Sequence, residues 1–296
     1  MEKFEFSIIV PAHNEEKHLP CCLNALRTIQ YPREQFEIIV VDNGSSDRTA
    51  DCARDLGADL VLSQPFGTVA TARNFGYEKS SGSTLVFVDA DCEVASDHLK
   101  RIAATLKNQQ CVTGATVSLP LNSSWVATLW RDRPMKHNIK PGSPHYINAG
   151  NLAVPRNIFQ KVGGFNPDLD TGEDFEFCIR AAEFVPIRET PNLQVLHHGE
   201  PQDLLSFLLQ QIWHGSGALG ALKLRSFDKP LIGTLVFAVF TVLQIVGFCM
   251  ILQGGSTSLW IYSTAFIILL LYLSALVNGN LPKITSKIPQ LLLIWY

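Results

Sequence analysis

Between Pro230 and Pro282 the sequence carries no charged side chain. Two apolar runs lie inside this stretch, Leu231–Leu252 and Leu259–Val277. As helices they would extend about 33 and 28 Å, close to the ~30 Å hydrocarbon core of a bilayer. The segment from Gln253 to Ser258 between them is short and polar. About fifty uncharged residues are difficult to hide inside a soluble protein of ordinary domain size. The expected arrangement is an N-terminal domain over residues 1–225 and a membrane anchor over 226–296. The anchor is a hairpin of two transmembrane helices, near 231–252 and 259–277.

The flanking charges give an orientation. Lys223, Arg225 and Lys229 precede the first run, Lys283 and Lys287 follow the second, and the connecting turn has no basic residue. By the positive-inside rule both flanks face the cytoplasm. The expectation is a multi-pass protein of the cytoplasmic (inner) membrane, with its large domain in the cytoplasm. Trp260, Tyr262 and Tyr272 lie near the span ends, where amphipathic rings are favoured. The segment near 202–225 is amphipathic and is expected to lie at the interface. The opening MEKFEFSIIV has an apolar stretch of only a strand's length and carries acids, so no secretory leader is expected.

The chain has 24 Lys plus Arg against 27 Asp plus Glu. Two of the basic residues lie beyond Lys229, so the first 229 residues hold 22 basic and 27 acidic side chains. No basic field exists for nucleic acid, and none is expected as a partner. Seven cysteines, at 21, 22, 52, 92, 111, 178 and 249, form no C-x-x-C pair and read as reduced thiols. Cys21 and Cys22 are expected to be core residues of a helix.

In residues 1–229 short apolar runs alternate with helical patterns. Strands are expected at Phe6–Val10, Phe36–Val41, Leu60–Leu62 and Leu85–Val88. Helices are expected up to Ile29, over Asp47–Leu56, over Val69–Lys79 and over Asp97–Asn108. SIIV, IIVV and LVFV are continuously apolar, as strands buried on both faces are. Such alternation implies right-handed βαβ units, a mostly parallel sheet and an α/β fold. Ligands of these sheets bind beyond the carboxyl ends of the strands. Gly215–Gly220 matches G-x-G-x-x-G but follows a helical pattern and leads into an apolar span, so it is no dinucleotide site.

The strand ends are acidic. The first leads into Pro11-Ala12-His13-Asn14-Glu15-Glu16, the second into Asp42-Asn43-Gly44-Ser45-Ser46-Asp47, and the fourth into Asp89-Ala90-Asp91. A later stretch reads Gly172-Glu173-Asp174-Phe175-Glu176. Singly, each is an ordinary turn or helix start. Together they describe one acidic crevice. If extended, Asp89 and Asp91 point to the same side and can share a hard cation whose remaining ligands come from a diphosphate. Such an ion stabilises a departing diphosphate as a Lewis acid.

With these motifs in order the chain resembles a family 2 glycosyltransferase of the GT-A fold, over roughly residues 5–225. They are SIIVPAHNEE, IIVVDNGSSDRT, ARNFGYEKSSG (Ala72–Gly82), LVFVDADCE, AGNLAVPR (Ala149–Arg156) and GGFNPDLDTGEDFEFCIR (Gly163–Arg180). The resemblance implies a metal-dependent, inverting transfer of a sugar from a UDP- or GDP-sugar, with Mn2+ or Mg2+ as cofactor. It implies that Pro11 and Ala12 cradle the base with Glu15 nearby, and that Asp42 accepts a base N–H. Arg73 would lie by the nucleotide. Asp89, Ala90 and Asp91 would form the D-x-D, with Asp91 as the direct metal ligand. Asp174 would be the general base, with Glu173 beside it in the acceptor site.

His197-His198-Gly199 follows an expected strand at Leu193–Leu196. Neighbours in a strand point oppositely, so one histidine of the pair can face the crevice, and His198 is the expected metal ligand beside Asp89 and Asp91. Gln210-Gln211-Ile212-Trp213-His214 departs from the Gln-x-x-Arg-Trp of processive relatives. The acceptor implied is a hydroxyl of a lipid-linked or membrane-proximal glycan. A polyprenyl-phosphate sugar synthase is the alternative, but an anionic phosphate acceptor needs no strong base. An inactive scaffold of a glycan-assembly complex is a third reading, and the intact acidic set argues against it.

Overall fold

The computed structural model describes residues 4–115, 117–131 and 146–210. Its first half follows the apolar runs. Strand β1 spans Phe4–Ala12, helix α1 Leu19–Arg27, β2 Phe36–Asn43, α2 Thr49–Asp55, β3 Leu60–Gln64, α3 Val69–Lys79 and β4 Gly82–Val88. A short strand β5 at Cys92–Val94 and helix α4 at His98–Asn108 follow. The second half holds β6 (Val112–Gly114), α5 (Trp125–Arg131), β7 (Asn151–Pro155), α6 (Arg156–Val162), α7 (Glu173–Ala181), β8 (Ile187–Glu189) and β9 (Val195–His197).

The main sheet has seven strands in the order β3-β2-β1-β4-β7-β6-β8. Strands β3, β2, β1 and β4 are mutually parallel, β7 runs against both its neighbours, and β8 is parallel to β6. Period-two alternation sorts the apolar side chains onto two faces. Phe6, Ile8 and Val10 of β1 join Ile38 and Val40 of β2 and Leu19, Leu23 and Leu26 of α1 in one core. Ile9, Ile39, Val41, Leu85 and Phe87 face the other way, onto Ala70 and Ala72 of α3 and Phe159 and Phe177 of α6 and α7. Both faces are covered, which is why these strands are apolar throughout.

Strands β5 and β9 pair antiparallel in a separate ribbon, with Cys92 opposite His197. The chain must leave the main sheet between β4 and β5. It does so at Asp89-Ala90-Asp91, a tight turn closed by Cys92 N–H donating to the Asp89 carbonyl at 3.0 Å. This corrects the expectation of an extended D-x-D. Cys22 is buried as expected, whereas Cys21 on α1 is exposed.

The chain divides into two units, Met1–Leu224 and Arg225–Tyr296. The expected spans at 231–252 and 259–277, the glycines of 215–220 and residues 211–214 lie outside the described residues. Among the described residues no helix is long and apolar enough to cross a membrane.

Candidate active site

The carboxyl ends of β1, β2 and β4 carry the acidic motifs side by side. In the β1–β2 register Pro11 pairs with Val41 and Ala12 with Asp42, so PAHNEE and DNGSSDRT leave the sheet together. The two loops are then joined by hydrogen bonds. Asn14 N–H donates to Ser45 Oγ at 2.9 Å, Ser46 N–H to Asn14 Oδ1 at 2.8 Å, and Glu15 N–H to Thr49 Oγ1 at 2.8 Å. Asp42 is buried, and its Oδ1 accepts from Ser45 N–H at 3.2 Å. Glu15 pairs with His18 at 2.9 Å. Burial raises the Glu15 pKa against the pull of His18, and the charges of Asp91 and Asp89 raise it further.

Arg73 is the hub of the crevice. It stands on α3 and is 3% exposed. One arm donates to Asp89 Oδ1 at 2.6 Å and another to Glu173 Oε1 at 2.5 Å. Burial works against its charge, but Asp89 and Glu173 outweigh burial and raise its pKa. Glu173 is raised as well. Its burial and the adjacent Asp174 carboxylate outweigh the help it takes from Arg73. Two acids share one guanidinium here with a third acid alongside, so the guanidinium stays charged and the negative charge is in excess. Arg73 thus holds the acidic motifs together through its ion pairs with Asp89 and Glu173.

Glu173 and Asp174 open α7, whose first turn also holds Glu176. Acids are favoured at this end of a helix. Asp174 Oδ2 accepts from the Tyr146 hydroxyl at 2.8 Å and from Ala149 N–H at 3.2 Å, and Oδ1 accepts from Phe175 N–H at 2.7 Å. Burial and the Asp174 charge hold the Tyr146 phenol far above its ordinary pKa, so it remains a donor.

The D-x-D turn fits a divalent cation. Asp91 is partly buried, and its Oδ1, shielded from solvent, has no hydrogen-bond partner among the described residues. Its other oxygen lies 3.4 Å from His197 Nε2. Burial raises the Asp91 pKa, with His197 opposing and Asp89 adding to the rise. A buried acceptor without a donor, next to a second carboxylate and an imidazole, is the ligand set a hard cation would satisfy. Asp91, Cys92 and His197 also bring their ligand atoms within 4.8 Å of one another.

His198 does not join this set, which corrects the sequence expectation. Its Nε2 lies 3.0 Å from Glu93 Oε2. Only one histidine of the pair can face Asp91, and because β9 ends at His197 the register gives that place to His197.

Two glycines complete the turn. A Cβ on Gly199 would fall 1.8 Å from Asp91 Oδ2, and one on Gly150 would fall 2.6 Å from Asp89 Oδ2. Sequence reasoning gave no role to these glycines or to Tyr146, and of the two histidines it chose His198 over His197. The two glycines lie inside the motifs AGNLAVPR and HHG, and that adjacency was the available signal.

The family profile described as "Glycosyl transferase family 2" matches residues 7–163. Glycosyltransferase AglE of Haloferax volcanii is 31% identical over 188 residues, covering 60% of this chain and 61% of AglE. The chain thus spans less than two thirds of that relative. The solved mannosyltransferase PcManGT from Pyrobaculum calidifontis, in complex with GDP-Man and Mn2+, superposes with a TM-score of 0.59 at 18% identity, over 94% of this chain and 87% of that one. S. aureus TarS 1-349 in complex with UDP-GlcNAc superposes with a TM-score of 0.51 at 19% identity, over 67% of this chain and 60% of that one. At these identities the likeness to the solved structures is one of fold.

Proposed function

The chain belongs to glycosyl transferase family 2, and from that premise we propose that it moves a sugar from a nucleotide-diphosphate donor to a hydroxyl of a lipid-linked or membrane-proximal glycan. The observation that carries this reading is the run of contacts from Asp89 through Arg73 to Glu173. It ties the carboxylates after β4 to the helix end that holds Asp174. A diphosphate site and a base are thereby parts of one crevice.

The reaction is a single displacement with inversion. Asp174 takes the proton of the acceptor hydroxyl, and that oxygen attacks the anomeric carbon from the face opposite the diphosphate. The bond from the anomeric carbon to the diphosphate oxygen breaks, and the nucleoside diphosphate leaves with the electron pair. Asp174 has three donors on its carboxylate and lone-pair capacity left for the acceptor. Glu173 lies beside it, held by Arg73. The loops after β1 and β2, with Pro11, Ala12, Glu15 and Asp42, take the nucleoside. Asp89 and Asp91, with Ala90 between them and His197 beside Asp91, would hold Mn2+ or Mg2+. When bound, the cation supplies Lewis-acid neutralisation of the diphosphate. The relatives' folds support a UDP- or GDP-sugar donor, since PcManGT holds GDP-Man with Mn2+ and TarS holds UDP-GlcNAc.

The hairpin near 231–252 and 259–277 anchors the domain on the cytoplasmic face, with the segment near 202–225 at the interface. Exposed Leu204, Leu205, Leu208 and Leu209 support that placement of the segment. Confining the donor crevice to the membrane surface raises the effective concentration of a lipid-linked acceptor.

A thermal-shift screen of UDP- and GDP-sugars with and without Mn2+ tests the donor reading. One donor class should raise the melting temperature only when the cation is present. At a hundredfold excess over Kd the gain is about 2.7 kcal/mol. An equal shift in EDTA would remove the cation from donor binding. Transfer to a polyprenyl phosphate rather than a hydroxyl would overturn the acceptor assignment.

A further inference from the structure

Cys21, Glu93 and His198 come from three separate segments, α1, β5 and the residue after β9. Their ligand atoms converge. His198 Nε2 lies 3.0 Å from Glu93 Oε2, Cys21 Sγ lies 3.5 Å from the same oxygen, and Cys21 Sγ lies 3.8 Å from His198 Nε2. Zinc takes thiolate at about 2.3 Å and imidazole or carboxylate at about 2.0 Å, so the edges of its tetrahedron run to roughly 3.3–3.6 Å. The three observed separations bracket that range.

The donor set differs in kind from the D-x-D turn. One sulfur, one nitrogen and one oxygen suit a borderline-soft cation, whereas paired carboxylates suit Mn2+ or Mg2+. Strand alternation keeps the two sets apart. His197 is turned to Asp91 and His198 to Glu93. Cys21 is exposed, and the side chains of His198 and Glu93 are 28% and 40% exposed. Solvent therefore reaches the cluster and can fill the fourth position. We propose that Cys21, Glu93 and His198 form a second metal site, for Zn2+ or a similar cation, which clamps α1 to the β5–β9 ribbon. The site stands whether or not the neighbouring crevice transfers sugar.

Co2+ is a spectroscopic stand-in for zinc. The full chain, stripped with EDTA and titrated with Co2+, should develop the near-ultraviolet charge-transfer band of a thiolate ligand and the intense visible bands of a four-coordinate ion. Zn2+ should displace both. The bands should persist in Asp91→Asn, and they should weaken at least tenfold in Cys21→Ser and in His198→Gln. The melting curve of metal-free Cys21→Ser should match that of the unaltered chain, because the side chain is exposed. Absence of the thiolate band in the unaltered chain would overturn the site. So would its survival in Cys21→Ser, or its loss in Asp91→Asn, which would assign the metal to Asp91, Cys92 and His197.

Discussion

Asp174 is the residue on which transfer chemistry rests in the proposed reaction. The residue is 7% exposed, and its carboxylate accepts from Tyr146, Ala149 and Phe175. An amide of the same shape cannot take the acceptor proton. Asp174→Asn should therefore lower turnover by roughly 10²–10⁴-fold, the usual worth of a positioned base. Donor binding followed by thermal shift should survive. Turnover close to that of the unaltered chain would place the base elsewhere. Gly199 acts through its missing side chain. A methyl there would sit 1.8 Å from Asp91 Oδ2, so Gly199→Ala forces the carboxylate to rotate away from His197. Loss of such support should weaken Mn2+ binding by about 10–100-fold. Calorimetric titration with Mn2+ reads this directly, and unchanged affinity would remove Asp91 from the cation site.

At the scale of elements, α4 carries a titratable group that does not belong to the crevice. His98 opens the helix, is fully buried, and has neither ring nitrogen hydrogen-bonded. Burial pushes its pKa down to about 4, with Asp97 opposing weakly. The unfolded chain, with an ordinary imidazole near 6.5, binds a proton that the folded chain refuses. The contribution is complete above about pH 6.5 and is lost progressively as the pH falls to about 4, an effect of about 3 kcal/mol. His98→Leu should flatten the stability-against-pH curve in that window. Denaturant unfolding at several pH values checks it, and parallel curves for the two proteins would refute the assignment. The β1 and β2 loops behave as a unit for a different reason. Asn14 has φ 56° and links PAHNEE to Ser45 and Ser46, so the loops after β1 and β2 share one hydrogen-bonded frame.

For the whole molecule, an acidic first part is followed by a stretch with no charge between Pro230 and Pro282. The expressed chain should sediment with membranes, resist extraction by alkaline carbonate, and need detergent for release. Release by carbonate alone would rule out the hairpin. The family 2 match covers residues 7–163, and the second part lies beyond it.

The βα order, the parallel strands and the acidic strand ends were legible because they depend on local patterns. Continuous apolar runs mark strands buried on both faces, and ligand loops follow such strands at their carboxyl ends. Asp89, Arg73 and Glu173 could each be named from their motifs. Their joining could not, because it depends on packing between α3 and the start of α7, 100 residues apart in sequence. The same holds for His197 and His198. Alternation decided that the two must part, but only the pairing of β9 with β5 settled which one meets Asp91. The D-x-D was misread as extended because the need to leave one sheet and enter another is a property of topology. By itself, then, the sequence determined the alternating strands and helices up to Asn108, the acidic character of the crevice and the uncharged C-terminal stretch, while β6 to β8 and α5 to α7 carried no pattern that was read. The tertiary structure alone decided which charges share a partner, since ion pairing depends on distance in space rather than along the chain.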